Sequence, residues 1–327
     1  MKKLVLLCLA VIFAFNAQAQ DDKATLEALK TELAAKKAAA DAAAGEAAAV
    51  QAKIDALPGW RTGGLGILGA NFAGSNQWFG NAIPNSESTG LNFALSGFAN
   101  QIQPKYFWRN AGSLNIGALK FKDTSIDYNE VNPEPTLAVV TDAIQVTSLY
   151  GYRLNDKIAI SALGEFRTLF LGTSLQDNVA DSLATGFLNP GYLDLGVGVT
   201  WTPIPDLVAV IHPINQNWVF SKGDYNFDSS LGAKIVIDYT KALPMGIAWK
   251  SNLSGFFSYK GEGEAGQSLH NYTWTNGVSF TAWKGIGVTA QLALRQNQQE
   301  AFNLGKIPVT EDNPVQVNYI IGLSYSL

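Results

Sequence analysis

The sequence predicts an all-β membrane protein, a single-chain antiparallel transmembrane β-barrel of about twelve strands preceded by an N-terminal α-helix. The last thirteen residues, 315–327, place an apolar side chain at every second position, as a strand with one apolar face does. The chain is 47% apolar and only 15% charged. Yet after residue 20 no stretch approaches the roughly 20 apolar residues that a membrane helix needs. Strands, rather than helices, are therefore predicted to cross the membrane.

Residues 1–19 are predicted to be a secretory signal peptide. Lys2 and Lys3 precede the apolar run 4–15, and 17–19 form a small-x-small cleavage site. Cys8, the only cysteine, lies in this segment, so the mature chain offers no thiol ligand or disulfide. Without Lys2 and Lys3, 23 − 2 = 21 basic residues face 27 acidic ones, a net charge of −6 that argues against a nucleic-acid partner.

Residues 20–57 are predicted to form a periplasmic helix, rich in Ala, Lys and Glu, which ends at Pro58-Gly59. Steps of three and four, the spacing of a coiled coil, join Leu26, Leu29, Leu33, Lys36, Ala40, Ala43, Ala47, Val50, Ile54 and Leu57. One interpretation is a coiled coil over 21–57 that makes a homo-oligomer or docks a periplasmic protein. The other is a solitary Ala-rich helix, because small seam residues bury little apolar area.

Residues 58–327 are predicted to form the barrel, surrounded by outer-membrane lipid in a Gram-negative bacterium. The predicted strands are 65–72, 91–102, 106–120, 143–154, 157–171, 191–202, 207–220, 231–240, 245–260, 271–283, 286–297 and 315–327. Short connections (103–105, 155–156, 203–205, 241–244, 284–285) alternate with long polar ones (73–90, 121–142, 172–190, 298–314). Bacterial barrels place short turns in the periplasm and long loops outside, so both termini are predicted to be periplasmic.

Alternation along the strands also predicts which side chains point into the lumen. The predicted lumen-lining residues are Glu165, Arg167, Asp194, Lys234, Asp238, Lys250 and Arg295. Two interpretations of these charges remain open. Paired charges of both signs would fill and stiffen a narrow barrel, whereas a polar pathway would select a small solute.

The sequence gives little support for catalysis, and neither a cofactor nor a metal site is predicted. His212, followed by Pro213, is expected at a strand irregularity, where it could act as a base only beside a Ser or Asp. His270 falls in a predicted outer loop. Glu262 and Glu264 could touch a cation there, although a solvated loop is the simpler interpretation.

Four blocks, 60–64, 149–154, 187–192 and 321–327, resemble those of a Bacteroidetes-type outer-membrane β-barrel family, a domain of unknown function. That family has Ser-Pro where this chain has His212-Pro213, and often a terminal Phe where this chain has Leu327. The resemblance implies the barrel, the signal peptide and the outer membrane. It implies neither a substrate nor a catalytic residue.

The sequence thus predicts a narrow, non-enzymatic channel for small polar or charged solutes, whose ion selectivity changes when Lys234 or Arg295 is neutralised. The alternative is a non-conducting accessory barrel whose N-terminal helix docks a periplasmic or envelope partner. A third possibility, a hydrolase, depends on what lies beside His212.

Overall fold

The computed structural model describes residues 25–43, 45–47, 49–50, 57–79, 84–123, 136–171, 186–223, 225–283, 285–304, 307–309 and 314–326. The predicted signal peptide lies outside these residues. The chain divides into two compact units, one up to Leu57 and one from Pro58 onward. In the described part of the chain, no helix is long and apolar enough to cross a membrane.

The first unit contains helix α1, whose described residues are 25–43, 45–47 and 49–50. Of the remaining positions of the predicted helix over 20–57, Leu57 is described and lies outside the helix, and the others are outside the described residues. Leu26, Leu29 and Leu33 are each more than half exposed on α1. The helix is therefore present, whereas its coiled-coil association stays a prediction.

The second unit is a closed antiparallel barrel of twelve strands, as predicted. Each strand pairs with the next along the chain, and the first pairs with the last. The strands are β1 (Gly59–Asn76), β2 (Ser86–Ile102), β3 (Tyr106–Asp123), β4 (Thr136–Arg153), β5 (Ile158–Thr168), β6 (Gly191–Ile204), β7 (Leu207–Phe220), β8 (Ser230–Leu243), β9 (Ile247–Ser258), β10 (Asn271–Trp283), β11 (Ile286–Asn297) and β12 (Gln316–Ser326).

The strand boundaries differ from the prediction mainly where glycine or polar residues interrupt the alternation. β1 begins six residues before the predicted 65–72 segment, because the glycine-rich stretch from Gly59 pairs fully with β2. β6 and β8 run into the predicted turns 203–205 and 241–244, so the actual reversals are tighter. A 3-10 turn, Pro244–Gly246, joins β8 to β9.

The barrel exterior is an apolar band between two belts of exposed aromatic side chains. The belt near the tight turns includes Trp60, Trp108, Tyr150, Trp201 and Tyr325, and the belt near the long connections includes Phe72, Trp218, Phe257, Trp274 and Tyr319. Between them lie the exposed side chains of Leu68, Leu95, Ile160, Val197, Leu292, Ile321 and Leu323. Water would oppose such exposure, whereas a bilayer favours it, and aromatic girdles mark both of its interfaces.

The wall is irregular where β6 meets β7. The β7–β8 register shifts between His212 and Asn215, around Pro213, which confirms the predicted irregularity. On β6, Gly198 faces this shift. A Cβ atom at Gly198 would lie 2.2 Å from the carbonyl oxygen of Ile211 and 2.6 Å from the Cα of His212. Only glycine fits here without moving the backbone of the neighbouring strand.

Replacing Gly198 with alanine is therefore expected to destabilise the barrel by at least the roughly 1–3 kcal/mol typical of overpacking. The measurement is the urea concentration at the midpoint of unfolding, detected by the tryptophan fluorescence of the refolded protein. Gly112→Ala is the matched control, because a Cβ there would come no closer than 3.9 Å to its nearest neighbour. Equal midpoints for the two variants would show that the β6–β7 wall can shift at little cost.

Candidate functional site

The lumen encloses a polar cavity of about 640 Å³. Ten strands, β2 to β11, contribute to its lining. The cavity runs from Asn100 and Asp238, near the tight turns, to Asn297 and Gln299, at the end that carries the long connections. It therefore extends along much of the barrel axis and is the candidate functional site.

The predicted lumen residues fall on the inner face. Six of the seven line the cavity, namely Glu165, Arg167, Asp194, Lys234, Asp238 and Arg295. Lys250 lies two residues before Asn252, a cavity residue on β9, and thus shares its face, but it is exposed outside the cavity lining. The placement brings the charges together in space, whereas their role in solute selection stays a prediction.

Lys234 and Asp194 form the centre of a buried charge cluster. Lys234 Nζ lies 3.1 Å from Asp194 Oδ2 and 3.5 Å from Glu165 Oε2. Asn215 and Asn217 donate to Asp194 Oδ1 at 2.8 Å and 3.2 Å. These contacts tie β5, β6, β7 and β8 together. In this cluster the charges are paired across the wall, as the structural interpretation expects.

A second cluster forms around Glu300, on a helix that the sequence analysis missed. Helix α2 (Gln298–Asn303) lies in the connection between β11 and β12, which was predicted as an outer loop. Asn297 Oδ1 caps it by accepting from the backbone N–H of Glu300 at 3.2 Å. The pattern Asn297-x-x-Glu300 is a helix-start signal and could have revealed the helix.

The Glu300 carboxylate contacts two opposite walls of the barrel. It pairs with Arg295 on β11, and its Oε1 lies 3.8 Å from Arg167 Nη2 on β5. Tyr192 on β6 donates its hydroxyl hydrogen to the same oxygen at 2.9 Å. Because β5 and β11 are six strands apart in a ring of twelve, the side chain of Glu300 bridges the lumen.

Side-chain amides also fasten α2 to the connection between β7 and β8. Gln299 Oε1 accepts from the Asp228 backbone N–H at 2.8 Å, and Gln299 Nε2 donates to the Asp228 carbonyl at 3.3 Å. Asn303 makes the same reciprocal pair with the Asn226 backbone, at 2.6 Å and 3.2 Å. Helix α2 is thus fixed at the long-connection end of the cavity, where Gln299 forms part of the lining.

Glu300 is ionised at neutral pH. Burial raises the pKa of its carboxyl, but Arg295 and Arg167, with hydrogen bonds from Arg295 and Tyr192, lower the pKa by more, to below its ordinary value. A carboxyl with a depressed folded-state pKa stabilises the structure above its unfolded pKa, and that stabilisation is lost as the pH falls through the folded pKa. The α2 contacts should therefore persist at neutral pH and weaken only in acid.

The inner face of the described strands carries an excess of positive charge. Alternation and the cavity lining assign seven basic side chains to this face, Arg61, Arg109, Arg153, Arg167, Lys234, Lys250 and Arg295. Among the side chains that the structure describes, they assign it three acidic ones, Glu165, Asp194 and Asp238. The difference is 7 − 3 = +4, and Glu300 reduces it to +3. Parity counted along β1, β3 and β4 would have found the three arginines that the sequence analysis missed.

A serine does lie beside His212, as the hydrolase possibility requires. Ser161 Oγ is 2.9 Å from His212 Nε2, and Thr200 donates its hydroxyl hydrogen to Ser161 Oγ at 2.9 Å. However, Ser161 is 2% exposed and His212 is 0% exposed. The pair is buried on the inner face and does not line the cavity, so its geometry favours a structural role at the β6–β7 irregularity.

The fold and the lumen define a class, a closed transmembrane-type β-barrel with a polar interior and a short helix of its own at one end of the cavity. A family model described as a protein of unknown function (DUF3078) matches residues 71–172, about a third of the chain. The sequence resemblance to a family of unknown function is confirmed to that extent, whereas a Bacteroidetes origin stays a prediction. No curated protein matches the chain.

Several solved structures follow a similar course of the chain. An outer membrane channel from Pseudomonas putida F1 is 15% identical, with a TM-score of 0.42 over 83% of this chain and 97% of that one. The NanC porin is 13% identical, with a TM-score of 0.38 over 80% and 100%. An outer membrane protein of Vibrio cholerae, OmpT, is 11% identical, with a TM-score of 0.37 over 82% and 100%.

Proposed function

We propose that this protein is a narrow channel of the Gram-negative outer membrane that prefers small anions and is closed at its outer end by α2. The observation that carries the proposal is the cavity of about 640 Å³, lined mostly by polar and charged side chains. The inner face that encloses it has, among its described side chains, four more basic than acidic groups. Side chains fill the interior of barrels of about eight strands, and the cavity means that they do not fill this wider barrel of twelve.

The apolar band and its two aromatic belts support a membrane location, and the predicted signal peptide supports export. Bacterial barrels place short turns in the periplasm, so the tight turns would face the periplasm and the long connections, with α2, would face outward. Both termini, and α1, are then periplasmic. A solute from the periplasm would meet the cavity first and α2 last.

The anion preference rests on the distribution of charge along the lumen. Lys234 pairs with both Glu165 and Asp194 and offsets one of their two negative charges. Near the turns, Arg109 and Arg153 flank the Phe107 ring, with their Cζ atoms 4.8 Å and 5.7 Å from its centroid. Rings of basic side chains favour anions in a pore, and the low-dielectric wall strengthens their field.

Planar-bilayer recording of the purified protein tests this function. We expect small unitary currents whose reversal potential in a salt gradient shows anion preference. Lys250→Met, on the inner face, should reduce that preference. Lys241→Met, on the outer face of β8 and paired with Asp206, should not. A protein that inserts but never conducts, or that prefers cations, would refute the proposal.

A second candidate is the accessory barrel, favoured by the exposed leucines at positions 26, 29 and 33 of α1. Leucine side chains that stay in water lose the free energy of burial, and packing the stripe against another helix would recover it. Deleting 21–57 should then abolish co-purification with an envelope protein while the barrel still folds. If the same proteins co-purify with and without the segment, this candidate fails.

A further inference from the structure

The groups that hold Glu300 belong to the barrel wall and form a site of their own. Arg295 lies on β11, Arg167 on β5 and Tyr192 on β6, whereas the carboxylate reaches them only because α2 brings it there. All three wall side chains also line the cavity. The arrangement therefore contains two separable parts: the donors, Arg167, Tyr192 and Arg295, and the carboxylate of Glu300 that occupies the site between them.

The donors are positioned by contacts that do not involve Glu300. The Arg167 guanidinium lies over the Tyr192 ring, with Cζ 4.6 Å from the centroid. The Arg295 guanidinium lies over the Trp78 ring at 5.4 Å. Aromatic rings hold planar guanidinium groups in a fixed orientation. The site should therefore keep its shape when α2 moves away.

The donor set matches one chemical class. Two guanidinium groups and one hydroxyl converge on the two oxygens of a single carboxylate. Tyr192 donates to Oε1, Arg167 forms an ion pair with the same oxygen at 3.8 Å, and Arg295 pairs with Oε2. Arginine is the side chain best suited to bind a planar carboxylate through paired N–H groups. A cavity of about 640 Å³ leads to the site, which leaves room for a small organic acid.

We propose that Arg167, Tyr192 and Arg295 form a binding site for carboxylate solutes, and that Glu300 occupies it as an internal stand-in for such a solute. A carboxylate arriving through the cavity would take the place of Glu300 and release α2 from the wall. The inference builds on the proposed channel function by naming its solute class and its opening signal. It concerns binding, which can be measured without ion flow.

The opposing account is that Glu300 and the arginines form a fixed structural ion pair. The two accounts differ in what happens when the Glu300 side chain is removed. A solute site left empty should accept an external carboxylate, whereas a structural pair should simply lose stability. In the native protein the tethered carboxylate competes at a high effective concentration, so external carboxylates should bind weakly.

The test measures acetate binding to the full-length protein in detergent by calorimetry. Sodium acetate is the probe, acetamide is its uncharged counterpart, and the chloride concentration is kept constant. Glu300→Ala should bind acetate saturably, and at least about tenfold more tightly than the unchanged protein. Acetamide should not bind. Adding Arg167→Gln and Arg295→Gln to Glu300→Ala should weaken acetate binding at least about tenfold, because both charged donors are lost.

A second variant covers the case in which Glu300→Ala does not fold. Asn303→Ala keeps Glu300 but removes the two hydrogen bonds to Asn226 that fasten α2. It too should bind acetate more tightly than the unchanged protein. Circular dichroism reports whether each variant retains its β structure. The inference is overturned if folded Glu300→Ala binds no acetate, if acetamide binds equally well, or if the arginine substitutions leave binding unchanged. A failure to conduct would count only against the channel function.

Discussion

Replacing Glu300 with glutamine is expected to open the lumen. The substitution preserves the size of the side chain but removes the charge that pairs with Arg295, whose side chain is 9% exposed. Leaving one member of a buried ion pair alone costs about 3–5 kcal/mol. This cost destabilises the state in which α2 is docked against the wall. It does not apply to the released state, because water can reach Arg295 once α2 has left the wall. A shift of about 3 kcal/mol changes an equilibrium constant more than 100-fold.

In planar bilayers, the mean conductance of Glu300→Gln should therefore exceed that of the unchanged protein by about tenfold or more, through a higher open fraction. Glu264→Gln is the matched control. It makes the same substitution at an exposed glutamate in the β9–β10 connection, and its conductance should stay unchanged. Equal currents from both variants would mean that α2 does not close the channel.

Alternation was enough to predict the barrel because its period is fixed by backbone geometry. Each strand must direct alternate side chains to lipid and to the lumen, so β11 and β12 could be assigned face by face from the sequence. The count of twelve follows from connections with recognisable turn residues. Strand ends were harder to place, as at Gly59, because backbone pairing continues where side chains no longer alternate.

The lumen clusters could be predicted only in part. Parity places Glu165, Asp194 and Lys234 inside, but it does not say which of them meet, since that depends on the stagger between strands. The Lys234–Asp194 contact joins β8 to β6 across β7. Likewise, the contact of Ser161 with His212 follows from the register of β5, β6 and β7 and not from either local sequence.

Helix α2 shows why function was harder to predict than fold. Its cap, Asn297, could be recognised, but a polar six-residue helix has no apolar stripe that would indicate where it docks. Its position is set by reciprocal amide bonds to Asn226 and Asp228, which lie about seventy residues earlier. Such long-range polar contacts leave no periodic pattern in the sequence. The helix that carries Glu300 across the lumen was therefore missing from the sequence prediction.

The second large effect is expected at Lys234, whose side chain is 7% exposed and pairs with Asp194 and Glu165. Lys234→Met keeps a similar volume but leaves two carboxylates facing each other without their shared cation. Breaking a buried pair in this way should lower the free energy of unfolding by about 3–5 kcal/mol. The urea midpoint of the barrel, measured in the same detergent for every variant, reports the change.

Lys250→Met removes the same charge from the same lumen but from an exposed site, so its unfolding free energy should stay within about 0.5 kcal/mol of the unchanged protein. Both variants should lose anion preference, whereas only Lys234→Met should lose stability. This pairing separates the two interpretations of the lumen charges residue by residue. If Lys234→Met is as stable as the unchanged protein, the cluster does not stiffen the barrel. Solute selection is then the remaining interpretation of its charges.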